Sequence, residues 1–305
     1  MASEPAHRSA PGQADRPDGS GEEACRERQD GWQWFPAPAK LNLFLHVVGR
    51  RPDGYHLLET VFTFLDVSDQ VGLRMRPDGA IHRARDLPGV PAESDLCVRA
   101  ARLLAQHTGC RLGVDLQVEK QLPMGGGLGG GSSDAATVLV ALNHLWQTGL
   151  SRPQLAALGL QLGADVPVFV LGEAAFATGV GEVLTPVTVP ADWYLVLVPP
   201  VSVPTVAVFS APELTRNTSR VKIADFSRGF GQNDLQPVVL EQYPQVNVCF
   251  AWLAERTNAR MTGSGCCIFS AFATQTEAQA MWEEVPPGWH GFVAKGLQQH
   301  PLKHL

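Results

Sequence analysis

The chain of 305 residues lacks the features that would assign it to a membrane or to nucleic acid. It contains no run of about 18 apolar residues, so we expect no membrane-spanning helix and no membrane partner. Its formal net charge is −6 and its pI is about 5.8. A general nucleic-acid binder would carry a basic face, so we expect no nucleic-acid partner, although a local basic pocket for phosphates is compatible with this charge.

Metal-binding cysteine patterns are missing too. The six cysteines lie at positions 25, 97, 110, 249, 266 and 267, without CxxC or CxxH spacing. We interpret them as reduced thiols of a cytoplasmic protein, with adjacent Cys266 and Cys267 as small packing residues. No cluster of carboxylates indicates a dedicated metal site, so the metal ligands stay unknown.

Residues 1–31 have almost no large apolar side chains and are rich in Pro, Gly, Ser, Glu, Asp and Arg. Such a segment cannot bury enough surface to offset its ordering entropy, so we predict a disordered tail. It has no apolar stretch typical of a secretory signal, and its acidic residues argue against a transit peptide. These acidic residues include Glu4, Asp15, Asp18, Glu22 and Glu23.

Glycine, by contrast, is concentrated in one run, PMGGGLGGGSSDAA at residues 123–136, where six of the seven residues 125–131 are glycine. Such a cluster is costly to order unless backbone must approach something closely. Ser132 and Ser133 are favoured N-cap residues, and apolar residues then recur at helical spacing. A glycine loop that opens onto a helix N-terminus is an anion site, most naturally for phosphates.

Other interpretations of this run fit less well. A Walker A loop needs a lysine before the hydroxyl residue, and here Gly131 precedes Ser132. A dinucleotide fingerprint would need an acidic residue at the end of a second strand, and none supports it. A flexible linker would not be bounded by a strand-like run and a well-capped apolar helix.

The pattern Pro-x-x-x-Gly-Leu-Gly followed by Ser-Ser resembles the phosphate loop of the GHMP kinases, and the resemblance extends over residues 34–295. It implies that ATP is the co-substrate, with Mg²⁺ expected from ATP chemistry, and that Ser132 or Ser133 reaches a phosphate or Mg²⁺. Lys120 would flank the nucleotide, an exposed strand-end lysine being the alternative. The implied ATP-binding residues are Lys120, Pro123, Met124, Gly125, Gly126, Gly127, Leu128, Gly129, Gly130, Gly131, Ser132 and Ser133.

Two further motifs carry candidate catalytic residues. On the strand-like run 39–48, Lys40 and Asn42 share a face and can point together into a cleft, although a solvated lysine on an edge strand is the simpler interpretation. Asp165 precedes Val166-Pro167 at a junction of fixed backbone conformation. At this position it could be either a helix or turn cap or a catalytic carboxylate. Pro-Ala-Lys-Leu-Asn-Leu and Gly-Ala-Asp-Val-Pro are similar to GHMP kinase motifs. This likeness implies that Lys40 is the active-site lysine, that Asn42 lies beside the acceptor and that Asp165 is the general base.

Tyr55 and His56 follow a turn signal at residues 50–54 and could be ordinary surface residues. Their ring face and imidazole would nevertheless suit a pyrimidine, one for stacking and the other for hydrogen bonding. Asp-Gly-Tyr-His and the lengthened glycine loop resemble those GHMP kinases that phosphorylate the 2-hydroxyl of a cytidylyl-methylerythritol. The resemblance implies that Tyr55 and His56 hold the cytosine of this small-molecule substrate, and that Thr205 and Phe209 line its pocket.

The expected fold is an α+β GHMP kinase fold of two domains with the site between them. After the tail 1–31 come an N-terminal nucleotide-binding α/β domain at 32–184 and a C-terminal ferredoxin-like domain at 185–305, in a monomer or weak homodimer. Strands interleaved with two helices favour the ferredoxin-like arrangement. Two alternatives stay open: a GHMP kinase for another small alcohol, such as homoserine or mevalonate, and a non-catalytic relative that binds nucleotide or RNA.

Local signals predict several helix ends. Asp95, where the family usually has Asn, should cap a helix at 96–106, and Ser151 one that ends near 162. Thr274 and Glu277 should form a capping box. A helix over 235–254 should break near Pro244. Residues 262–266 form a second glycine loop that resembles the family's third motif, which lies close to the phosphates.

Overall fold

The computed structural model describes residues 26–27, 30–227 and 229–305. Of the predicted tail 1–31, Arg26–Glu27 form a short strand, β1, that pairs with Gln33 and Trp34. Apart from residues 26–27, 30 and 31, the tail and its predicted disorder lie outside the described residues. Among the described residues, no helix has the length and apolar character needed to cross a bilayer.

The remaining strands are β2 Gln33–Arg50, β3 His56–Arg76, β4 Ile81–Arg83, β5 Gly113–Glu119, β6 Ala175–Thr178, β7 Val183–Pro186, β8 Trp193–Val198, β9 Arg260–Met261, β10 Ile268–Phe272 and β11 His290–Leu297. The helices are α1 Leu96–Thr108, α2 Gly130–Leu145, α3 Arg152–Leu160, α4 Val166–Leu171, α5 Thr205–Ser210, α6 Gln236–Gln242, α7 Pro244–Ala254 and α8 Gln275–Glu284, with a 3₁₀ turn at Ile223–Asp225.

The long antiparallel hairpin of β2 and β3 is the scaffold of the site. Beyond β2, β3 also pairs with β5, β6 and β11, so it joins the two halves of the molecule. The β2–β3 register shifts just before Lys40 and again after Asn42, but it is regular between them. Since side chains alternate along a strand, Lys40 and Asn42 share one face, as predicted. Register shifts of this kind re-aim side chains and are common beside active sites.

The second half is ferredoxin-like, as predicted. Its four antiparallel strands lie in the order β11-β8-β10-β9, which is 4-1-3-2 in chain order. Helices follow the first and third of these strands, giving the β-α-β-β-α-β pattern. One hydrophobic core lies beneath this sheet and extends to β2, and a second lies between the first sheet and α1, α2 and α4.

Residues 298–305, within the stretch predicted as the second domain, pack against the first. The His300 amide donates to Gly172 O (3.0 Å), and the guanidinium of Arg152, in the first half, donates to Lys303 O (3.0 Å). Leu302 is fully buried in the core of the first half. The chain therefore returns to the N-terminal half after β11.

Helix ends follow the local signals with one exception. Asp95 accepts from the Cys97 amide (2.8 Å) and caps α1, and the predicted helix over 235–254 breaks at Tyr243, before Pro244. Capping boxes occur at Ser151 and Thr274. The exception is α2, since Ser132 and Ser133 are not its N-caps. Gly129 takes that position with φ 73°, a backbone conformation natural to glycine, so the helix begins at Gly130.

Candidate active site

One large cavity of about 1070 Å³ lies between the two halves of the molecule. Its walls bring together segments far apart in sequence: the start of β2, the turn before β3, the glycine loop with the first turn of α2, the start of α4, helix α5 and the second glycine loop. Of the predicted site residues, only Ser133 is not on its walls. The predicted catalytic, nucleotide and substrate residues therefore share one space.

Lys40 and Asp165 form an ion pair in the wall of this cavity. Lys40 Nζ lies 3.3 Å from Asp165 Oδ2, and it donates to Asn42 Oδ1 (2.5 Å) and Gly127 O (2.9 Å). The lysine side chain is 3% exposed, so the solvated lysine that its strand position allowed is not observed. An ammonium group with three hydrogens and three acceptors is held in one place.

Asp165 keeps access to the cavity, with its side chain 35% exposed. It occupies the N-cap position of α4, but its carboxylate makes no capping hydrogen bond there. The helix-cap interpretation is therefore not supported. A carboxylate fixed by a buried lysine on one side and open on the other can accept a proton from a bound hydroxyl.

The glycine loop packs directly on the second glycine loop. A Cβ on Gly127 would overlap Thr262 O, and one on Gly265 would overlap the backbone of Gly126 and Gly127. The Cys267 amide donates to Gly126 O (3.0 Å). Close approach explains these glycines, as the sequence suggested, but at Gly126 and Gly127 the approaching group is another loop of the same chain.

The fully buried Thr262 connects three motifs through its hydroxyl group. The Asn42 amide donates to Thr262 Oγ1 (2.9 Å), and this oxygen lies 3.4 Å from Gly127 O. The start of β2, the phosphate loop and the second glycine loop thus share one hydroxyl. Sequence reasoning identified the second loop as a motif but gave no role to its threonine.

The N-terminus of α2 opens on the cavity through Gly129, Gly130, Gly131 and Ser132. Ser132 lines the cavity, whereas Ser133 is fully buried and its hydroxyl has no hydrogen-bond partner among the described residues. Free amide groups and the positive end of the helix dipole are available there for an anion.

Lys120 is not the exposed strand-end lysine that the sequence left open. Its ammonium group contacts the buried carboxylates of Asp69 and, at 2.8 Å, Asp134. Burial raises the pKa of Asp134 to about 7 in spite of the neighbouring lysine. The amides of Gln121 and Leu122 also donate to Asp69 (2.6 and 2.8 Å), so this network anchors the chain leading into the phosphate loop.

The far end of the cavity is aromatic. The ring of His56 lies 5.0 Å from that of Phe209, with an angle of 32° between their planes, and Tyr55 projects at the rim with 65% of its surface exposed. Thr205 and Ser264 share a hydrogen bond (2.7 Å) that links α5 to the second glycine loop. Tyr55, His56 and Phe209 give this end of the cavity, called the aromatic slot below, ring surfaces that suit a planar base.

Magnesium ligands are not concentrated in any one place. Within the described ranges, no three His, Cys, Asp or Glu side chains are grouped so as to hold a metal ion. Mg²⁺ that arrives with a nucleotide needs only one or two protein carboxylates besides the phosphates and water. The cavity supplies the carboxylates of Asp134 and Asp165 and the Ser132 hydroxyl, oxygen ligands that fit Mg²⁺ bound to a nucleotide.

Fold and cavity together define a class of enzyme, the ATP-dependent small-molecule kinases. Residues 95–173 match the family described as "GHMP kinases N terminal domain", and residues 213–289 match "GHMP kinases C terminal". The first match contains the phosphate loop, and the second covers most of the ferredoxin-like part. The protein is thus an ATP-dependent phosphotransferase.

Similar curated proteins share one name. A 4-diphosphocytidyl-2-C-methyl-D-erythritol kinase of Thiobacillus denitrificans is 60% identical over 270 residues, which cover 88% of this chain and 97% of the relative. One of the same name from Aromatoleum aromaticum is 56% identical, covering 88% of this chain and 94% of the relative. The chain belongs to this family of GHMP kinases.

Solved structures agree on the architecture. A crystal structure of 4-(cytidine 5'-diphospho)-2C-methyl-D-erythritol kinase matches with a TM-score of 0.71 and 32% identity, covering 86% of this chain and 98% of that one. Homoserine kinase from Cytophaga hutchinsonii matches with a TM-score of 0.64 at 17% identity, covering 90% and 98%. At that identity the second likeness shows a shared fold alone.

Proposed function

We propose that the protein transfers the γ-phosphoryl group of ATP to the 2-hydroxyl of 4-diphosphocytidyl-2-C-methyl-D-erythritol, giving ADP and the 2-phosphate in the non-mevalonate route to isoprenoid precursors. One observation carries the residue assignments. One cavity is lined by the Lys40–Asp165 pair, by the anion-binding N-terminus of α2 and by the aromatic slot. A phosphate donor at one end and a base-bearing acceptor at the other would meet at Asp165.

The phosphates of ATP bind at the N-terminus of α2 in this proposal. Phosphoryl transfer depends mainly on positioning and on neutralising charge, which backbone amides and a helix dipole supply. Ser132 is the hydroxyl that reaches a phosphate or Mg²⁺, because Ser133 is enclosed by its own helix. When bound, Mg²⁺ would neutralise phosphate charge, held by the phosphates with Ser132 and a nearby carboxylate.

Asp165 accepts the proton of the attacking hydroxyl in this proposal. Its carboxylate is open to the cavity on one side and paired with Lys40 on the other. Lys40 is in turn fixed by Asn42 and by the backbone of the phosphate loop, so base and loop keep a constant separation. Such positioning contributes as much to rate as the proton transfer itself.

The acceptor's cytosine lies in the aromatic slot in this proposal. Tyr55 and Phe209 offer ring faces, His56 offers a hydrogen bond, and Thr205 borders the path towards Asp165. Homoserine and mevalonate have no base that could fill this slot, so the slot favours the cytidylyl acceptor over those alternatives.

ADP release by the purified protein tests this function directly. With ATP and Mg²⁺ we expect turnover of the cytidylyl-methylerythritol acceptor, and none of methylerythritol phosphate, homoserine or mevalonate. Chelating Mg²⁺ with EDTA should abolish the turnover. Phosphorylation of another acceptor alone would support kinase activity but reject the proposed substrate. Turnover that survives EDTA would reject the role of Mg²⁺.

Replacing Tyr55 with Ala should raise the KM for the cytidylyl acceptor about tenfold or more, because stacking on an aromatic ring is worth about 1–3 kcal/mol per base. The KM for ATP and kcat should change little, since Tyr55 lies at the rim away from Asp165. Steady-state kinetics with each substrate varied in turn measure both constants. Tyr55→Phe, which keeps the ring, is the matched control, and an unchanged KM in the alanine variant would contradict stacking.

A further inference from the structure

Arg216, to which the sequence gave no role, connects four groups at the base end of the cavity. Its Nε donates to His56 Nε2 (3.1 Å), while its Nη atoms donate to the carbonyls of Leu214 (3.0 Å), Phe209 (3.1 Å) and Ala211 (2.7 Å). Arg216 therefore fixes the C-terminal end of α5, which carries Phe209, and also the imidazole that packs against Phe209.

The contact with Arg216 determines which nitrogen of His56 carries the proton. A guanidinium group has only donors and stays charged at any ordinary pH, so His56 Nε2 must be the acceptor. The proton of the neutral ring is then on Nδ1. Burial, Arg216 and Arg50, in that order, hold the pKa of His56 below its ordinary value, which favours this neutral form.

The Nδ1–H group of His56 is left to meet a ligand. Within the part of the chain that the structure describes, no protein group is hydrogen-bonded to Nδ1, and the ring lines the cavity. The same edge of the two pyrimidines differs in a simple way: N3 of cytosine is an acceptor, whereas N3 of uracil carries a hydrogen. A fixed N–H donor therefore pairs with cytosine and opposes uracil.

We propose that Arg216 is the positioning residue that makes this site select cytosine over uracil, by holding His56 as an Nδ1–H donor to N3 of the base. This inference rests on the proposed function and deepens it, since it concerns the base of the same acceptor. Without Arg216 the imidazole can carry its proton on either nitrogen and can rotate, so it can also present a bare nitrogen to the N3–H of uracil.

Arg216→Met tests the inference, with Arg152→Met as the matched control. Arg152 also donates to three backbone carbonyls, those of Val170, Leu302 and Lys303, but it does not line the cavity. Both variants lose the same type of contact, so both are expected to lower Tm. Only the change at Arg216 removes the partner of an imidazole in the base slot.

The measurement is kcat and KM for the cytidylyl acceptor and for its uridylyl analogue. We expect the unaltered protein to prefer cytidylyl by about 10–100-fold in kcat/KM, the usual cost of an unpaired buried polar group. In Arg216→Met the KM for the cytidylyl acceptor should rise while kcat stays within about threefold, and the preference should fall towards unity. Arg152→Met should keep the preference. Equal preference in the two methionine variants would overturn the inference.

Nitrogen-15 NMR of the imidazole gives a readout that does not depend on turnover. The His56 signals, assigned by their loss in His56→Asn, should show a protonated Nδ1 and a bare Nε2 in the unaltered protein and a mixture in Arg216→Met. A protonated Nε2 in the unaltered protein would overturn the proposal. If the unaltered protein failed to phosphorylate the cytidylyl acceptor, the proposed function would fail separately. Calorimetric binding of CDP and UDP would then decide the inference, which requires Arg216→Met to erase a preference for CDP.

Discussion

Replacing Asp165 with Asn should lower kcat by about 10²–10⁴-fold, the contribution usual for a positioned general base. Asparagine has the same shape and cannot accept the hydroxyl proton. Lys40 keeps its contacts with Asn42 and Gly127, so the buried ammonium is not left without partners. Because the Asp165 side chain is partly exposed, the fold and the affinity for ATP should be retained. Single-turnover kinetics and nucleotide titration measure the two quantities.

Asp78→Asn is the matched control for this substitution. Asp78 also pairs with a cation, Arg76, but in an exposed turn that is not part of the cavity wall. It should leave kcat unchanged. A near-normal kcat in Asp165→Asn would contradict the assignment of Asp165 as the base, and a large loss of ATP affinity would move its role from proton transfer to nucleotide binding.

Gly265→Ala should disable the phosphate loop by displacing its backbone from the second glycine loop. A methyl group there would overlap the backbone of Gly126 and Gly127, and backbone cannot move aside as a flexible side chain can. We expect overpacking to cost about 1–3 kcal/mol, seen as a fall of several degrees in Tm. Displacing the loop should also lower kcat/KM for ATP by about 10²-fold, the usual effect of a small misplacement.

Gly49→Ala controls for the loss of a glycine as such. A methyl group at Gly49 would meet only the Leu57 side chain, at an ordinary 3.5 Å or more. Neither glycine has the left-handed φ that would strain an alanine. Thermal unfolding and ATP kinetics of both variants should therefore separate the effect of steric overlap from the effect of replacing a glycine. Normal ATP kinetics in Gly265→Ala would show that the two loops can part, contrary to our account of why the glycines are there.

Features set by neighbours in sequence could be predicted from the residues themselves. Asp95 caps α1, Thr274 and Glu277 form their capping box, and the helix breaks before Pro244, because each depends on a few consecutive residues. The predicted start of α2 was wrong for a related reason. Two good capping serines were outweighed by Gly129, three and four residues earlier, which takes the left-handed conformation.

Contacts between distant segments could not be predicted in this way. Nothing local to Lys120 indicates that Asp69 lies against it, and His56 and Arg216 are 160 residues apart. Gly126 and Gly127 were expected to face phosphates, whereas part of their space is filled by the second loop. The assignments of Lys40 and Asp165 came from resemblance. From its strand position alone Lys40 was more simply interpreted as a solvated lysine, and the turn position of Asp165 was equally consistent with a cap.

The length of β3 has a mechanical consequence for how the cavity admits its substrates. This single strand of 21 residues is bonded to β2, β5 and β6 on one side of the cleft and to β11 of the other half. A hinge motion that separated the two halves would break hydrogen bonds within a continuous sheet. The bonds at risk are those that pair Leu65 with Gly296 and Phe64 with Leu297, so this short ladder opposes a hinge opening of the cleft.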